Sequence, residues 1–403
     1  MRFFIFWEKA LDLNLGLMFK ILLDIKLGGS FMIYNQFCGE NISRLGMGNM
    51  RLPVKPGPGE PIDYEKAQEI IDYAMANGIN YYDTAYVYHG GDSENFLGTA
   101  LKKYPRESYK LATKFNYGAN PDYKTVLKEQ LENLQTDYID FYLLHGVGIG
   151  NNWVDFRDCG CIDYFMEMKK KGVIKHLGFS FHGTLDCLRE IVAHHQWDFC
   201  QLQVNYYDWL YADTKKEYEI VAEAGLPVVV MESLRGGLLA SLTPEAEALL
   251  KAAHPDWTIA SWALRWLQRL PNVKVMLSGM SALNQIVDNV ATCSADSALT
   301  DADEAILLEA CERFRSSVLV PCTGCRYCVE TCPAQINIPE VLKVYNDHKD
   351  IPWTFMGLMR TRSQGKPMDC VGCGLCTEHC PQNIDVPRYM AALTEKLMPN
   401  HKK

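Results

Sequence analysis

Positive charge is scarce in this chain of 403 residues: 40 lysines and arginines stand against 49 aspartates and glutamates, a formal charge of −9. Proteins neutralise nucleic acid through basic surface, so an acidic chain argues against such a partner. Long apolar runs are missing too. The opening M-R-F-F-I-F-W-E-K resembles an export signal, but Glu8 and Lys9 cut it short, and Asp12, Lys20, Asp24 and Lys26 interrupt the next stretch. No part of it reaches the ~18 apolar residues of a membrane span, and no small-residue cleavage site is present. Patterned sequence begins at Met32, so residues 1–31 read as an upstream extension and Met32 as a candidate start. A third absence is a Gly-x-Gly-x-x-Gly loop after the first strand, the main sign of a doubly wound dinucleotide-binding sheet.

What is present is a regular alternation. Hydrophobic residues make up 48% and charged residues 22%, enough for a sizeable core. From about Leu45 to Met280, short runs rich in Val, Ile, Tyr and Phe alternate with stretches of helical period. Expected strands are Leu45–Asn49, Asn80–Ala85, Tyr109–Phe115, Tyr138–His145, His176–Phe181, Phe199–Tyr207, Pro227–Glu232 and Val273–Leu277. Helices are expected at Tyr64–Ala76 and Thr125–Leu134, among others. Eight such units predict an α/β fold, a parallel (β/α)8 barrel, over residues 32–317. A small hairpin turning near Gly39-Glu40 should precede it. Thr300 is placed to cap a helix that Pro321 would end.

The chain has 15 cysteines, and eight fall in two runs. Each run reads Cys-x2-Cys-x2-Cys-x3-Cys-Pro: Cys322, Cys325, Cys328 and Cys332, then Cys370, Cys373, Cys376 and Cys380, 48 residues later. Disulfides do not fit this spacing, and zinc sites use two cysteine pairs rather than runs ending in Cys-Pro. Soft thiolates in one tight loop suit an iron–sulfur cubane. In two-cluster ferredoxins the fourth cysteine ligates the other cluster, which assigns Cys322, Cys325, Cys328 and Cys380 to one [4Fe–4S] cluster and Cys370, Cys373, Cys376 and Cys332 to the second. The repeat continues as C-P-A-Q-I-N-I-P and C-P-Q-N-I-D-V-P, each entering a helix-like stretch. Residues 318–396 thus resemble the α-helical ferredoxin family, which implies electron transfer; residues 397–403 form a tail. The other seven cysteines read as small buried hydrophobes, with Cys159-Gly160-Cys161 the pair hardest to dismiss.

A second set of residues carries a second resemblance. Asp83 ends the second strand in Y-Y-D-T-A, and Tyr88 comes five residues later. Lys114 ends the third strand in L-A-T-K-F, and His145 ends the fourth in Y-L-L-H-G. Residues 33–316 resemble an aldo-keto reductase, whose catalytic set is Asp, Tyr, Lys and His at these strand ends. The resemblance implies an oxidoreductase acting on a small-molecule carbonyl with NAD(P)H. Tyr88 would donate the proton, Lys114 would lower the phenol's pKa, Asp83 would hold Lys114, and His145 would stabilise the carbonyl oxygen.

The same resemblance implies the cofactor residues. Gln203, Asn205 and Ser180 match the nicotinamide side, though Phe181 stands where asparagine is usual, beside His182. Ser233 to Gly237, with Arg235 among them, would wrap the pyrophosphate, and Met50 and Arg51 would line the same cleft. Asn289 anchors the alignment after the eighth strand. There Gly279 and Gln285 replace the lysine and arginine that often grip the 2′-phosphate of NADPH, so the choice between NADH and NADPH is open. Glu232 stands about where an aromatic often stacks on nicotinamide. The loop Gly146–Asp158, with Trp153 and Phe156, is expected to wall the substrate site.

A hydride carries two electrons and a cluster takes one, so coupling usually calls for a converter such as a flavin. No flavin fingerprint is visible, but barrel loops can bind a flavin phosphate without one. Three readings stay open: a carbonyl reductase exchanging electrons with a redox partner protein, an electron-transfer component using the barrel as a docking body, and a reductase whose clusters are structural or oxygen-sensing. The clusters favour a reducing cytoplasm.

Overall fold

The computed structural model describes residues 32–56, 60–347, 354, 356–358, 361 and 363–398. The extension at 1–31 and most of the tail lie outside the described residues. The hairpin forms from β1 (Tyr34–Phe37) and β2 (Glu40–Ser43). Its turn sits at Cys38-Gly39, one residue before the expected place, because both adopt positive φ (52° and 81°), as a two-residue hairpin turn requires.

Among the described residues, eight parallel strands then close into a barrel. They are β3 (Leu45–Gly48), β4 (Tyr81–Asp83), β5 (Lys110–Phe115), β6 (Ile139–Val147), β7 (Ile174–Phe181), β8 (Phe199–Gln203), β9 (Val228–Met231) and β10 (Val273–Ser278), with β10 pairing back to β3. The hairpin plugs the bottom: Phe37 stacks on Phe141 at 4.8 Å between ring centroids and packs edge-on against Phe199. Aromatic and β-branched side chains fill the interior above it, among them Tyr81, Val229 and Val275. Filling the bottom leaves the other end, where the strands finish, as the open mouth.

Helices alternate with the strands. Tyr64–Ala76 has its expected bounds, with Asp63 accepting the Lys66 N–H, and Tyr123–Asn133 starts two residues early because Asp122 caps it. Thr300 caps Asp301–Arg315 in a reciprocal box with Asp303. That helix stops at Arg315, well before Pro321, so proline does not end it. β8 is shorter than expected. Asn205 accepts the Asp208 N–H and starts a helix, Tyr206–Tyr211, where strand was expected. Trp153 and Phe156, expected at the substrate wall, are buried in the barrel's core. Phe156 packs on Phe115, and the Trp153 indole donates to Glu190. Their short helix, Trp153–Asp158, turns both rings inward.

The cysteine-rich region packs helices Ile338–Asp347 and Val386–Leu397 around a separate small core. Its first cysteine loop, with Pro381 and Gln382, sits over the barrel mouth. Gly236, just after β9, comes so close to the Thr323 carbonyl that a Cβ would lie at 1.8 Å from it.

Candidate active site

The barrel's parallel register lines up the strand ends, bringing Asp83, Lys114 and His145 to one rim. Tyr88 reaches the same place from the loop after β4, where His89 and Gly90 bend the chain at positive φ. The Lys114 ammonium donates to both Asp83 oxygens at 2.7 and 2.8 Å and to the Thr84 carbonyl at 2.6 Å. Burial pushes the Asp83 carboxyl up and the Lys114 ammonium down, and their mutual attraction opposes both. Lys114 Nζ lies 5.1 Å from the Tyr88 ring centre.

One expectation fails here. The Tyr88 phenol is pushed well above its ordinary value of 10, by burial first and then by Tyr327 and Asp83. The reason is visible in the hydrogen bonds. All three ammonium protons of Lys114 go to Asp83 and Thr84, and its charge is matched by the carboxylate, so little is left to stabilise a phenolate.

His145 is held neutral, its pKa well below 6.5 through burial, then Lys114 and His182. Asn116 fixes its tautomer. The Asn116 Oδ1 accepts the Ala119 N–H at 3.0 Å, which turns Nδ2 toward His145 Nδ1 at 3.4 Å. Nδ1 is then the acceptor, and Nε2 carries the proton into the site. Tyr88 and His145 lie edge to face, 5.7 Å between centroids. Two donors, a phenol and an imidazole N–H, therefore converge on one point, the arrangement that receives charge on a carbonyl oxygen.

A cavity of about 500 Å³ reaches Asp83 and Tyr88, while His145 and Lys114 are not among its lining residues. Met50, Arg51, Gln203, Ser233, Gly279, Gln285 and Asn289 line it, together with Asp83, Tyr88, His182 and Glu232. Thr323, Cys325, Tyr327, Pro381 and Gln382 from the cysteine domain close it.

Comparison with known proteins agrees with the geometry. The family model for "Aldo/keto reductase family" matches residues 44–310, and that for "4Fe-4S dicluster domain" matches 321–384. The chain belongs to the aldo/keto reductase family. It is 30% identical over 288 residues to the uncharacterized oxidoreductase YqkF of Bacillus subtilis, covering 63% of this chain and 88% of that one. It is 26% identical to the NADH-specific methylglyoxal reductase of Escherichia coli, covering 67% of this chain and 95% of that one. A solved aldo-keto reductase of Bacillus halodurans, in its holo form, superposes with a TM-score of 0.57 at 28% identity, over 69% of this chain and 96% of that one. The protein is thus an oxidoreductase of this family with a dicluster domain attached. No helix among the described residues is long and apolar enough to cross a membrane.

The nucleotide side of this aldo/keto reductase is more crowded than the resemblance implied. Gln203 and Gln382 exchange amide hydrogen bonds, at 2.9 and 3.2 Å. Asn205 and Ser180 face structural work instead of the cavity: Asn205 caps its helix, and Ser180 accepts the Gly146 N–H. Asn289 donates to Ser278 Oγ, Ser233 Oγ to the Leu277 carbonyl, and Gln285 accepts the Ser281 N–H. His182, not Phe181, enters the cavity; Phe181 is core. Arg235 is not among the lining residues. Its buried guanidinium binds Asp208 at 2.8 Å, the Pro321 carbonyl at 2.9 Å and Gln382 at 2.9 Å, which makes it a latch between the domains. Arg51 does similar work, reaching the Thr323 carbonyl at 3.0 Å and Glu232 at 3.6 Å. Glu232 is pushed up by burial, and its Oε2 has no hydrogen-bond partner.

The eight cysteines surround two further cavities. Cys322, Cys325, Cys328 and Cys380 line one; Cys332, Cys370, Cys373 and Cys376 line the other. Each draws three thiols from one run and one from the other. The remaining walls are mostly apolar, with Ile338 and Val386 shared between them. Among the described residues no three His, Cys, Asp or Glu converge as a single metal ion requires; the thiols stand around spaces instead. Gly324 N–H donates to Cys322 Sγ at 3.4 Å and Ile384 N–H to Cys380 Sγ at 3.5 Å, the kind of bond that tunes a cluster's potential. These residues fit the two [4Fe–4S] groups of a dicluster domain, which when bound supply one-electron storage.

Sequence reasoning missed Tyr327. It lies between Cys325 and Cys328, donates its backbone N–H to Cys325, and brings its hydroxyl to His145 Nε2 at 3.2 Å and into a hydrogen bond with Tyr88. The signal that could have found it is the 48-residue repeat, in which Tyr327 corresponds to Leu375.

Proposed function

We propose that this protein reduces a small-molecule carbonyl with NAD(P)H at Tyr88 and His145, and that its clusters exchange electrons with that site, through a two-electron/one-electron converter such as a flavin, and with a redox partner protein in the cytoplasm. A bound nicotinamide supplies the hydride. The chain's own part is to hold the carbonyl oxygen between the His145 Nε2–H and the Tyr88 hydroxyl. Hydride arrival makes that oxygen an alkoxide, and Tyr88 gives it a proton. Lys114 and Asp83 keep a compensated pair of charges behind the phenol.

The observation that carries the reading is the shared cavity. Cys325, a ligand candidate for the first cluster, and Tyr88, the proton donor, line the same space of about 500 Å³. The second cysteine set reaches the surface at one corner: Cys373 is exposed, and Val371 nearby is 68% exposed. That end suits a partner protein. NADH and NADPH both remain within the reading, since Gly279 and Gln285 offer no cation to a 2′-phosphate while Arg51 lies in the same cavity.

The test is carbonyl-dependent NADH or NADPH oxidation by anaerobically purified protein, with Tyr88→Phe alongside. The reading requires turnover that Tyr88→Phe lowers by about 10²–10⁴-fold. Turnover near the parent rate after the substitution sinks it.

A further inference from the structure

The carbonyl site is not open in this structure. A carbonyl oxygen belongs within hydrogen-bond reach of both His145 Nε2 and the Tyr88 hydroxyl. Tyr327 Oη is already there, 3.2 Å from His145 Nε2 and bonded to Tyr88, with its ring 6.1 Å from the imidazole centre. We propose that Tyr327, supplied by the cluster domain, is a specificity-determining residue of the carbonyl site: its phenol occupies the carbonyl-oxygen position, and a substrate binds by displacing it.

The pseudo-repeat of the cysteine domain supports a purpose beyond holding the cluster loop together. The two loops share their backbone: Gly324 and Arg326 in the first, Gly372 and Gly374 in the second, all at φ between 68° and 83°. Leucine does at 375 what the loop needs, and it is 38% exposed. Only the loop over the barrel carries tyrosine. The same holds for Gln382, which pairs with Gln203, whereas its counterpart in the repeat is Ala334. The departures from the repeat thus fall where the domain meets the active site. Displacing Tyr327 breaks two hydrogen bonds and moves a ring. Compounds that replace both bonds and fit the vacated space are admitted; others compete poorly with a tethered phenol.

This inference rests on the carbonyl-reductase reading, and the experiment separates the two. Tyr327→Leu places in the first loop the residue that the second already tolerates; Tyr327→Phe removes the hydroxyl and keeps the ring. Both are purified anaerobically as the full chain, and iron content is matched to the parent protein. KM and kcat are measured with butanal and with 4-nitrobenzaldehyde, and nucleotide affinity is measured separately by fluorescence. Tyr327→Leu is expected to lower KM for the aldehydes by roughly thirtyfold, the factor two hydrogen bonds of ordinary net strength set. Tyr327→Phe should lower it less for the bulky aldehyde than for butanal, with nucleotide affinity unchanged in both. An unchanged or raised KM with iron intact overturns the proposal. If no aldehyde turns over, butanoate binding to the protein with oxidised nucleotide is the readout: tighter binding in Tyr327→Leu supports the proposal, and equal binding overturns it. Adding Tyr88→Phe to Tyr327→Leu tests the parent reading alone, because activity surviving that pair removes the carbonyl-reductase reading itself.

Discussion

The barrel encloses Asp83 and Lys114 in an apolar core that runs from Met32 to Phe314, whereas the core of the cysteine domain gathers twelve buried hydrophobic side chains among its described residues, two of them Cys328 and Cys376. The first core needs no bound group to hold it together. The second is too small for that, and thiols that line cavities do not stabilise a fold until something binds them. The two regions therefore differ in what they need to stay folded, yet they share one cavity, closed by Tyr327 and Gln382, with the latch Arg235 behind it holding Gln382. Residues of both regions line one cavity, so on the proposed reading a change at the cysteine loops would reach Tyr88 through direct contacts.

The largest expected break in that comparison comes from removing iron. Anaerobic chelation should abolish hydrogen-exchange protection in Ile338–Asp347 and Val386–Leu397 and leave the barrel strands protected; equal loss in both regions contradicts the difference. Next comes chemistry confined to the barrel. Tyr88→Phe should cost about 10²–10⁴-fold in carbonyl reduction, the range of a lost proton donor, with the cluster absorbance unchanged. Lys114→Met leaves a buried carboxylate without its cation and should destabilise the barrel by about 3–5 kcal/mol in denaturant titration.

A smaller effect concerns pH. His182 lines the cavity, and its pKa is lowered from 6.5 to about 4, chiefly by burial. A lowered histidine favours the folded state fully above the unfolded pKa. The unfolded chain takes up the proton first as pH falls, so on the order of 3 kcal/mol should be lost between pH ~6.5 and ~4. His182→Asn should flatten that part of the stability curve relative to the parent; an unaltered slope would show that the group titrates normally. The smallest effect is expected at the seam. Arg235→Met removes three interdomain or buried contacts but leaves Asp208 bonded to Gln203 and Asn205, so a cost of about 1–3 kcal/mol is expected. It should appear as faster exchange in the Cys322–Cys328 loop.

The parts legible in the sequence were those with a period or a fixed spacing. Strand runs such as L-A-T-K-F placed Lys114 at a rim, and the Cys-Pro runs placed the thiols, because backbone geometry alone dictates both patterns. The parts that were not legible depend on the partner surface. Trp153 and Phe156 look like loop aromatics until Phe115 and Glu190 arrive from elsewhere in the chain. Arg235 reads as part of a backbone cradle for a pyrophosphate until Asp208 and Gln382 claim its side chain. Asn205 reads as strand because nothing local shows that it will cap the next helix. Tyr327 sat in a spacer position where any residue is compatible with the motif, and only its mismatch with Leu375 marked it.

The measurement that bears most directly on the shared cavity is a visible spectrum of anaerobically purified protein before and after adding NADH or NADPH, which also reveals a flavin if one acts as converter. The account predicts that the cluster absorbance bleaches with one of the nucleotides. Absorbance that stays unchanged with both, while dithionite reduces the clusters, would show that the cavity and the clusters are not connected.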